Sequence, residues 1–395
     1  MRWVETALKS SCGELRIHHL RSTYSVQVDA RTVSAIEAVM AGLPDAPKAA
    51  QGLLDRLAKR GLVAEGAFSP IPTRAGDVVS VEVEPASACN LKCRHCFVDF
   101  SGERMTDELM AKVFDGAARL GVVEVTFNGG EPLLHPRCVD WIEESRRRGF
   151  RALLFTNGTR VTEPIARRLA AAGVARVTVS VDGFEPEHDS IRGAGSFRRT
   201  VEGIRRLTST GLSVFTTTMV HGANEESVGE LQRYCQEELR VAGCRTSTVA
   251  PMGRAKAAPD LLLARASFQR VYAGERPPGP LAASGRLPCN AGVDKLYVSA
   301  LGDVYPCHLF ELVGARLGDL RAHEMPALVA GREARDLTSL DPARLHECSS
   351  CSELATCGGG CRARAWSIRG DRFGRDPVAC AKRGLLEIND RAALA

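Results

Sequence analysis

The chain has 395 residues, 44% hydrophobic and 25% charged, the balance of a globular protein long enough for two or three domains. Its formal charge of +5, from 52 basic and 47 acidic side chains, is spread along the whole length and argues against a nucleic-acid or anionic-membrane partner. No run reaches the roughly 18 consecutive apolar residues of a membrane span, and the opening MRWVETALKS lacks the apolar core of a signal peptide, so the expected location is the cytoplasm.

Residues 1–63 read as a small α+β unit. Strand-like runs at Leu15–Leu20 and Tyr24–Val28 precede two helical patterns, one with Val33, Ile36 and Met40 on a face, the other, Ala46–Arg60, with Leu53, Leu54 and Leu57. Leu62 and Val63 begin a further strand, and residues 64–77 carry the Pro/Gly signature of a linker. From Val79 strands and helices alternate. Strands are expected at Val79–Val83, Val122–Phe127, Ala152–Phe155, Val177–Val181, Val214–Met219 and Arg245–Val249. Helices are expected near 105–120, 137–149, 163–172, 199–210 and 224–240. Serial βα units predict an α/β fold with a parallel sheet, open or curled as a partial barrel, whose ligand site lies at the C-terminal strand ends. Beyond about residue 285 the periodicity fades; Leu296–Ser299 and Val304–Cys307 read as a hairpin, and the rest as loop and short helix that needs bound metal to hold together.

Fourteen cysteines are a surplus in a chain expected to stay reduced, which points to metal or redox chemistry rather than disulfides. Cys12, Cys138, Cys235 and Cys244 are scattered and read as small buried hydrophobes. The others concentrate in two places. Cys89, Cys93 and Cys96 share one short loop after the first barrel strand, where three thiolates can bind three irons of a cubane and leave the fourth open. The rival is zinc, which wants a fourth ligand at tetrahedral distance, and His95 is confined inside the loop. The tail holds Cys289, Cys307, Cys348, Cys351, Cys357, Cys361 and Cys380; a double zinc ribbon is the rival there.

The loop C-N-L-K-C-R-H-C-F resembles the CxxxCxxC loop of the radical S-adenosylmethionine (SAM) superfamily. The resemblance implies a [4Fe–4S] cluster whose open iron is chelated by SAM, and reductive cleavage to a 5′-deoxyadenosyl radical fed by a donor such as flavodoxin or ferredoxin. It extends to Asn128-Gly129-Gly130-Glu131-Pro132, which resembles the GGEP motif that meets the SAM amino group. Two glycines permit close backbone approach, and the carboxylate can complement an ammonium. Asn157, Ser180 and Asp182 end later strands at positions like the family's SAM contacts, Arg192 matches an arginine that pairs with the SAM carboxylate, and Met219 is placed to pack on the adenine.

The tail resembles the seven-cysteine SPASM domain of peptide maturases, which implies two auxiliary [4Fe–4S] clusters. By that resemblance Cys348, Cys351, Cys357 and Cys380 ligate the outer one, and Cys289, Cys307 and Cys361 the inner one. A fourth inner cysteine is missing between Cys289 and Cys307, so Asp294, a cysteine such as Cys244, or an open iron fills the place.

Element order in 1–63 resembles winged-helix leader-peptide recognition domains, which capture a peptide as an added strand; Tyr24–Val28 is the candidate edge. DNA binding is the rival, but Lys48, Arg56, Lys59 and Arg60 against Asp45 and Asp55 make the second helix only mildly basic. The expected organisation is therefore 1–75 peptide recognition, 76–285 a partial (β/α)6 TIM-type barrel, and 286–395 SPASM. The expected function is crosslinking of a ribosomally made precursor peptide through its leader. Sulfatase maturation and tetrapyrrole or other small-molecule modification are the alternatives.

Overall fold

The computed structural model describes residues 1–3, 5–11, 14–43, 46–47, 50–71, 73–74, 76–98, 101–271, 289–338 and 341–386. Cys12, Asp45, Lys48 and the boundary expected near 285 lie outside the described residues.

The amino-terminal unit is built on a four-stranded sheet. Strand β1 (Arg2–Trp3) is separate, while β2 (Thr6–Ser11), β3 (Glu14–His19) and β4 (Ser25–Val28) run antiparallel in sequence. Helix α1 (Ala30–Met40) starts at Asp29, whose carboxylate accepts from Thr32 N, and presents Val33, Ile36 and Met40 inward. Helix α2 (Gln51–Lys59) adds Leu54 and Leu57 to the same core. β5 (Val63–Ala64) pairs with β1.

The expected linker does more than connect. Its β6 (Thr73–Arg74) joins β2 in parallel, so the sheet order is β4-β3-β2-β6 with β4 at an open edge. β2, absent from the expected strands, is buried from Thr6 to Lys9 and so shows no polar–apolar alternation.

The barrel follows the expected serial pattern: β7 (Ser80–Val83), α3 (Asp107–Arg119), β8 (Glu124–Phe127), α4 (Cys138–Arg147), β9 (Arg151–Thr156), α5 (Glu163–Ala172), β10 (Arg176–Ser180), α6 (Glu185–Arg192), α7 (Ser196–Ser209), β11 (Val214–Val220), α8 (Val228–Glu237) and β12 (Gly243–Thr248). Thr106 and Thr162 cap α3 and α5 by accepting from Leu109 N and Ile165 N. The six strands are parallel and adjacent in chain order. Alternation assigns their faces: Val81, Val83, Val125, Phe127, Leu154 and Val179 pack outward in the main core, leaving polar positions such as Glu82 and Glu124 to the inside. Helix α6 arises where no helix was expected, its Pro186 standing in the first turn where no N–H is needed.

Helix α9 (Arg265–Val271) ends the barrel region. The tail hairpin, β13 (Lys295–Val298) and β14 (Asp303–Tyr305), is extended by β15 (Gly318–Asp319). It does not stand apart: β13 pairs in parallel with β7, giving one nine-stranded open sheet ordered β12-β11-β10-β9-β8-β7-β13-β14-β15. Short helices follow among the described residues: α10 (His308–Glu311), α11 (Met325–Ala330), α12 (Arg332–Thr338), α13 (Leu354–Cys357), α14 (Arg362–Arg369) and α15 (Pro377–Lys382). Among the described residues no helix is long and apolar enough to cross a membrane.

The amino-terminal unit is fixed to the barrel base by cations meeting carbonyls. Lys9 Nζ donates to Leu120 O (3.1 Å) and Gly121 O (2.9 Å), just past α3. Arg74 donates to Val122 O and to Gly149 O (2.6 Å), the latter just past α4. Both cations thus lie at the negative ends of helix dipoles. Arg146 and Arg151 reach back to Leu20 O (2.8 Å) and Ser22 O (3.4 Å).

Candidate iron–sulfur and SAM site

At the opposite, C-terminal ends of the strands, a cavity of about 580 Å³ opens between barrel and tail. Cys89, Cys93 and Cys96 line it as free thiols. The loop is held from behind: Arg94 N donates to Ile191 O (2.9 Å), Arg254 N to Cys96 O (2.9 Å), and the Arg94 guanidinium forks onto Asp260 at 2.9 and 2.8 Å. Cys89 Sγ accepts from Leu91 N (3.4 Å) and Asn157 Nδ2 (3.8 Å), and Cys93 Sγ from Arg192 Nη1 (3.9 Å). Burial pushes the Cys89 thiol up to about 11 and raises Cys93 and Cys96 too. Three soft donors aimed into one cavity, with N–H groups directed at two sulfurs, suit thiolates deprotonated by a bound cluster.

Asn128, Gly129 and Gly130 line the same cavity. A Cβ on Gly130 would lie 2.3 Å from Ala88 O, and one on Gly129 2.5 Å from Glu84 Cγ, so this turn backs directly on the strand leading to Cys89. Glu131 lies behind it, fully buried: it accepts from Thr156 Oγ1 (2.7 Å), Asn157 N (2.7 Å) and Leu133 N (3.1 Å). Its carboxylate therefore ties the loops after β8 and β9 together, and Pro132 opens a short 3-10 helix away from the cavity.

Asn157, Ser180, Arg192 and Met219 all line the cavity. Asp182 is buried beneath them, where its Oδ2 takes Arg192 Nε (2.6 Å) and its Oδ1 takes Met219 N (2.8 Å). Burial alone would raise this carboxyl, yet Arg192 and His95 hold it at about 2. Asp182 thus aims Arg192 and anchors the strand end at Met219.

Sequence reasoning missed the wall facing the tail. His95 lines the cavity with Nε2 3.7 Å from Asp182 Oδ2, and burial lowers it to about 4. Glu82, Lys295, Tyr297, His308, Glu311 and Arg364 complete that side. Glu82 accepts from Asn128 Nδ2 (2.5 Å) and faces His308 Nδ1 at 3.2 Å; His308 in turn stacks on Phe97, centroids 5.5 Å apart. The available signal was two acids, Glu82 and Glu84, at the inward positions of an otherwise apolar strand.

The tail cysteines separate into two groups. Cys348, Cys351, Cys357 and Cys380 surround one small pocket with Gly359 and Asp376. Cys289, Cys307 and Cys361 pack with Tyr297, Phe310 and Trp366. Three successive glycines with φ of 63°, 79° and 75°, Gly358 to Gly360, let Cys357 and Cys361 join different groups. Asp376 links the two, accepting from Cys361 N (2.7 Å) and Arg364 (2.6 Å) while capping α15. Cys244 is remote from both, on β12 at the far edge of the sheet, bonded through Sγ to Gln232 O (3.7 Å).

A partial barrel with a three-thiol loop at its strand ends, followed by a seven-cysteine tail, defines an iron–sulfur enzyme. The Radical SAM superfamily model matches residues 83–235, and the SPASM iron-sulfur cluster-binding domain matches residues 289–352. Mycofactocin maturase MftC of Mycobacterium tuberculosis is 30% identical over 323 residues, 73% of this chain and 80% of that protein. AdoMet-dependent heme synthase of Nitratidesulfovibrio vulgaris is 26% identical over 340 residues, 76% of this chain and 91% of that protein. Streptococcus suis SuiB bound to precursor peptide SuiA aligns with 96% of this chain and 99% of its own, at 14% identity and a TM-score of 0.69. The enzyme anSMEcpe with bound AdoMet covers 78% of this chain and 92% of its own, at 19% identity and a TM-score of 0.62. The chain belongs to the radical SAM superfamily and carries a SPASM domain; SAM and iron–sulfur clusters are its cofactors.

Proposed function

We propose that this enzyme matures a ribosomally made precursor peptide, installing a thioether, carbon–carbon or carbon–heteroatom crosslink or a related modification. Residues 1–75 recognise the leader, 76–285 hold SAM, and 286–395 hold two auxiliary clusters. Cys89, Cys93 and Cys96 ligate the SAM-binding cluster; Cys348, Cys351, Cys357 and Cys380 the outer auxiliary one; Cys289, Cys307 and Cys361 the inner one. When bound, the first cluster and SAM supply a 5′-deoxyadenosyl radical able to take hydrogen from an unactivated carbon.

The chain's own residues position and shield. Arg192, preset by Asp182, offers a guanidinium to the SAM carboxylate. Gly129 and Gly130 admit the ligand close to backbone, and Asn157 and Ser180 offer polar contacts at neighbouring strand ends. The Phe97–His308 stack closes the tail side. SAM contacts thus occupy one end of the cavity, leaving the end lined by Glu82, Lys295, Tyr297 and Glu311 to the substrate.

The observation that carries a peptide substrate is the open edge of β4. His19 N donates to Tyr24 O (3.1 Å), so the alternating ladder turns Val26 and Val28 toward β3 and leaves the N–H groups of Ser25 and Gln27 outward. A leader can add there as a strand. The edge belongs to a unit docked at the barrel base, whereas the cavity is at the top. β11, with 7 residues at about 3.3 Å each, is roughly 23 Å long. The leader and the modified segment must therefore be separated by at least about seven extended residues.

In the full-length enzyme, Gln27→Pro removes one outward N–H without touching the β3 ladder. It should weaken, at least tenfold by fluorescence anisotropy, the binding of any short precursor peptide that a neighbouring gene is found to encode, while dithionite-driven 5′-deoxyadenosine formation stays unchanged. Unaltered peptide binding would overturn leader capture at this edge. The heme-synthase relatives favour a tetrapyrrole substrate instead; mass change in an added tetrapyrrole, and none in the peptide, would select that reading.

A further inference from the structure

Lys295 stands where the cavity meets the inner cysteine trio. β13 and β14 pair with Tyr297 opposite Tyr305 and Val298 opposite Val304; Lys295 opens β13 and Cys307 follows β14 by two residues, at the same end of the hairpin. Lys295 and Tyr297, two apart on one strand, share a face. The turn before β13 closes the other side: Ala291 bridges Lys295, and Gly292 N donates to Lys295 O (3.0 Å) and Pro306 O (2.8 Å). Cys289, two residues before Ala291, is drawn to the same point. Cys289, Cys307 and Cys361 pack in one cluster with Tyr297, the residue two along from Lys295 on the same strand. Glu82, the carboxylate facing Lys295, spends its oxygens on Asn128 and His308.

We propose that the Lys295 ammonium compensates the charge of the cluster held by Cys289, Cys307 and Cys361 and thereby sets its reduction potential. The inference rests on the ligand assignment proposed above. A cubane with three thiolates is net negative, and one-electron reduction adds a further negative charge without making or breaking a bond. A fixed cation nearby stabilises the reduced form more than the oxidised one, which raises the potential. Lys295 is a positioning residue in this role: it touches the cavity, yet acts through the cluster. Cys244, on the far edge of the sheet, is not beside the trio; Arg362 adds a second cation on the Cys289 side, while Lys295 is the one that also lines the cavity.

The test is a potentiometric titration followed by electron paramagnetic resonance, on full-length protein reconstituted anaerobically with iron and sulfide and reduced by dithionite. Replacing Cys289, Cys307 and Cys361 together by Ala identifies the inner wave. That wave should move to lower potential in Lys295→Met and Lys295→Gln and stay near wild type in Lys295→Arg, with the other waves fixed and iron content unchanged. An inner wave unmoved in both neutral variants, or moved as far in Lys295→Arg, would overturn the proposal. A triple cysteine variant that kept every wave would instead overturn the ligand assignment, and this inference with it.

Discussion

The barrel and the cysteine-rich tail are held together by different physics. In the barrel, outward strand positions and inward helix positions share one large apolar core that needs no cofactor. The tail beyond residue 342 has only a small cluster of its own, around Leu345 and Cys348, and otherwise lends apolar residues to others: Val378 and Ala381 pack with Val220 and Phe268, and Ala363 and Trp366 with Phe310. Polar contacts add to this. Buried Arg362 donates to Gly359 O, Arg372 O (2.9 Å) and Gly374 O (2.8 Å), and Asp376 bridges the two cysteine groups. The barrel's core is thus built from the chain alone, whereas the tail combines borrowed apolar contacts, a polar network and two groups of thiols.

The sharpest way to break this contrast is to remove the metal. Chelation of iron under reducing conditions should open residues 342–386 to limited proteolysis while the barrel's far-ultraviolet circular dichroism persists. Structural metal sites of this kind contribute on the order of 10 kcal/mol to local folding. A tail equally protected with and without iron would show that its polar network suffices.

Within the barrel, Asp182–Arg192 is an ion pair with both side chains buried. Arg192→Leu leaves a buried carboxylate unpaired and should cost about 3–5 kcal/mol in chemical denaturation. The pH dependence follows from the same pair. The Asp182 carboxyl is depressed from 3.8 to about 2 in the folded state, so its contribution is present above about 3.8 and lost as pH falls toward 2. In Arg192→Leu that acid-side loss should flatten.

The smallest expected effect concerns the docking of the amino-terminal unit. Lys9→Met removes a cation from two carbonyls and should cost about 1 kcal/mol, read as faster proteolysis between residues 64 and 77. Burial lowers Lys9 from 10.5 to about 8. The unfolded chain then binds more protons between those values, so wild-type stability should rise with pH across that window and Lys9→Met should not follow it.

Much was legible in the sequence because it rests on local rules. Cysteine spacing marked the Cys89–Cys96 loop and the tail array, the SPASM resemblance divided that array in two, and alternating periodicities marked every barrel strand and the helices α3, α4, α5, α7 and α8. Helix α6 was missed because its eight residues carry a single turn of apolar spacing, and β2 because Thr6 to Lys9 are buried on both faces, polar and apolar alike, so no alternation shows. Tertiary structure alone decided the partners. Glu131 and Asp182 look alike in sequence as carboxylates at strand ends, but both turn away from the cavity, one to tie two loops and the other to aim Arg192. The strand alternation that placed Glu82 inside could not say that β13 would pair with β7 and bring Lys295 beside it. A strand's own residues fix which faces it has, whereas its neighbours are set by which edge remains free once the rest of the sheet has formed.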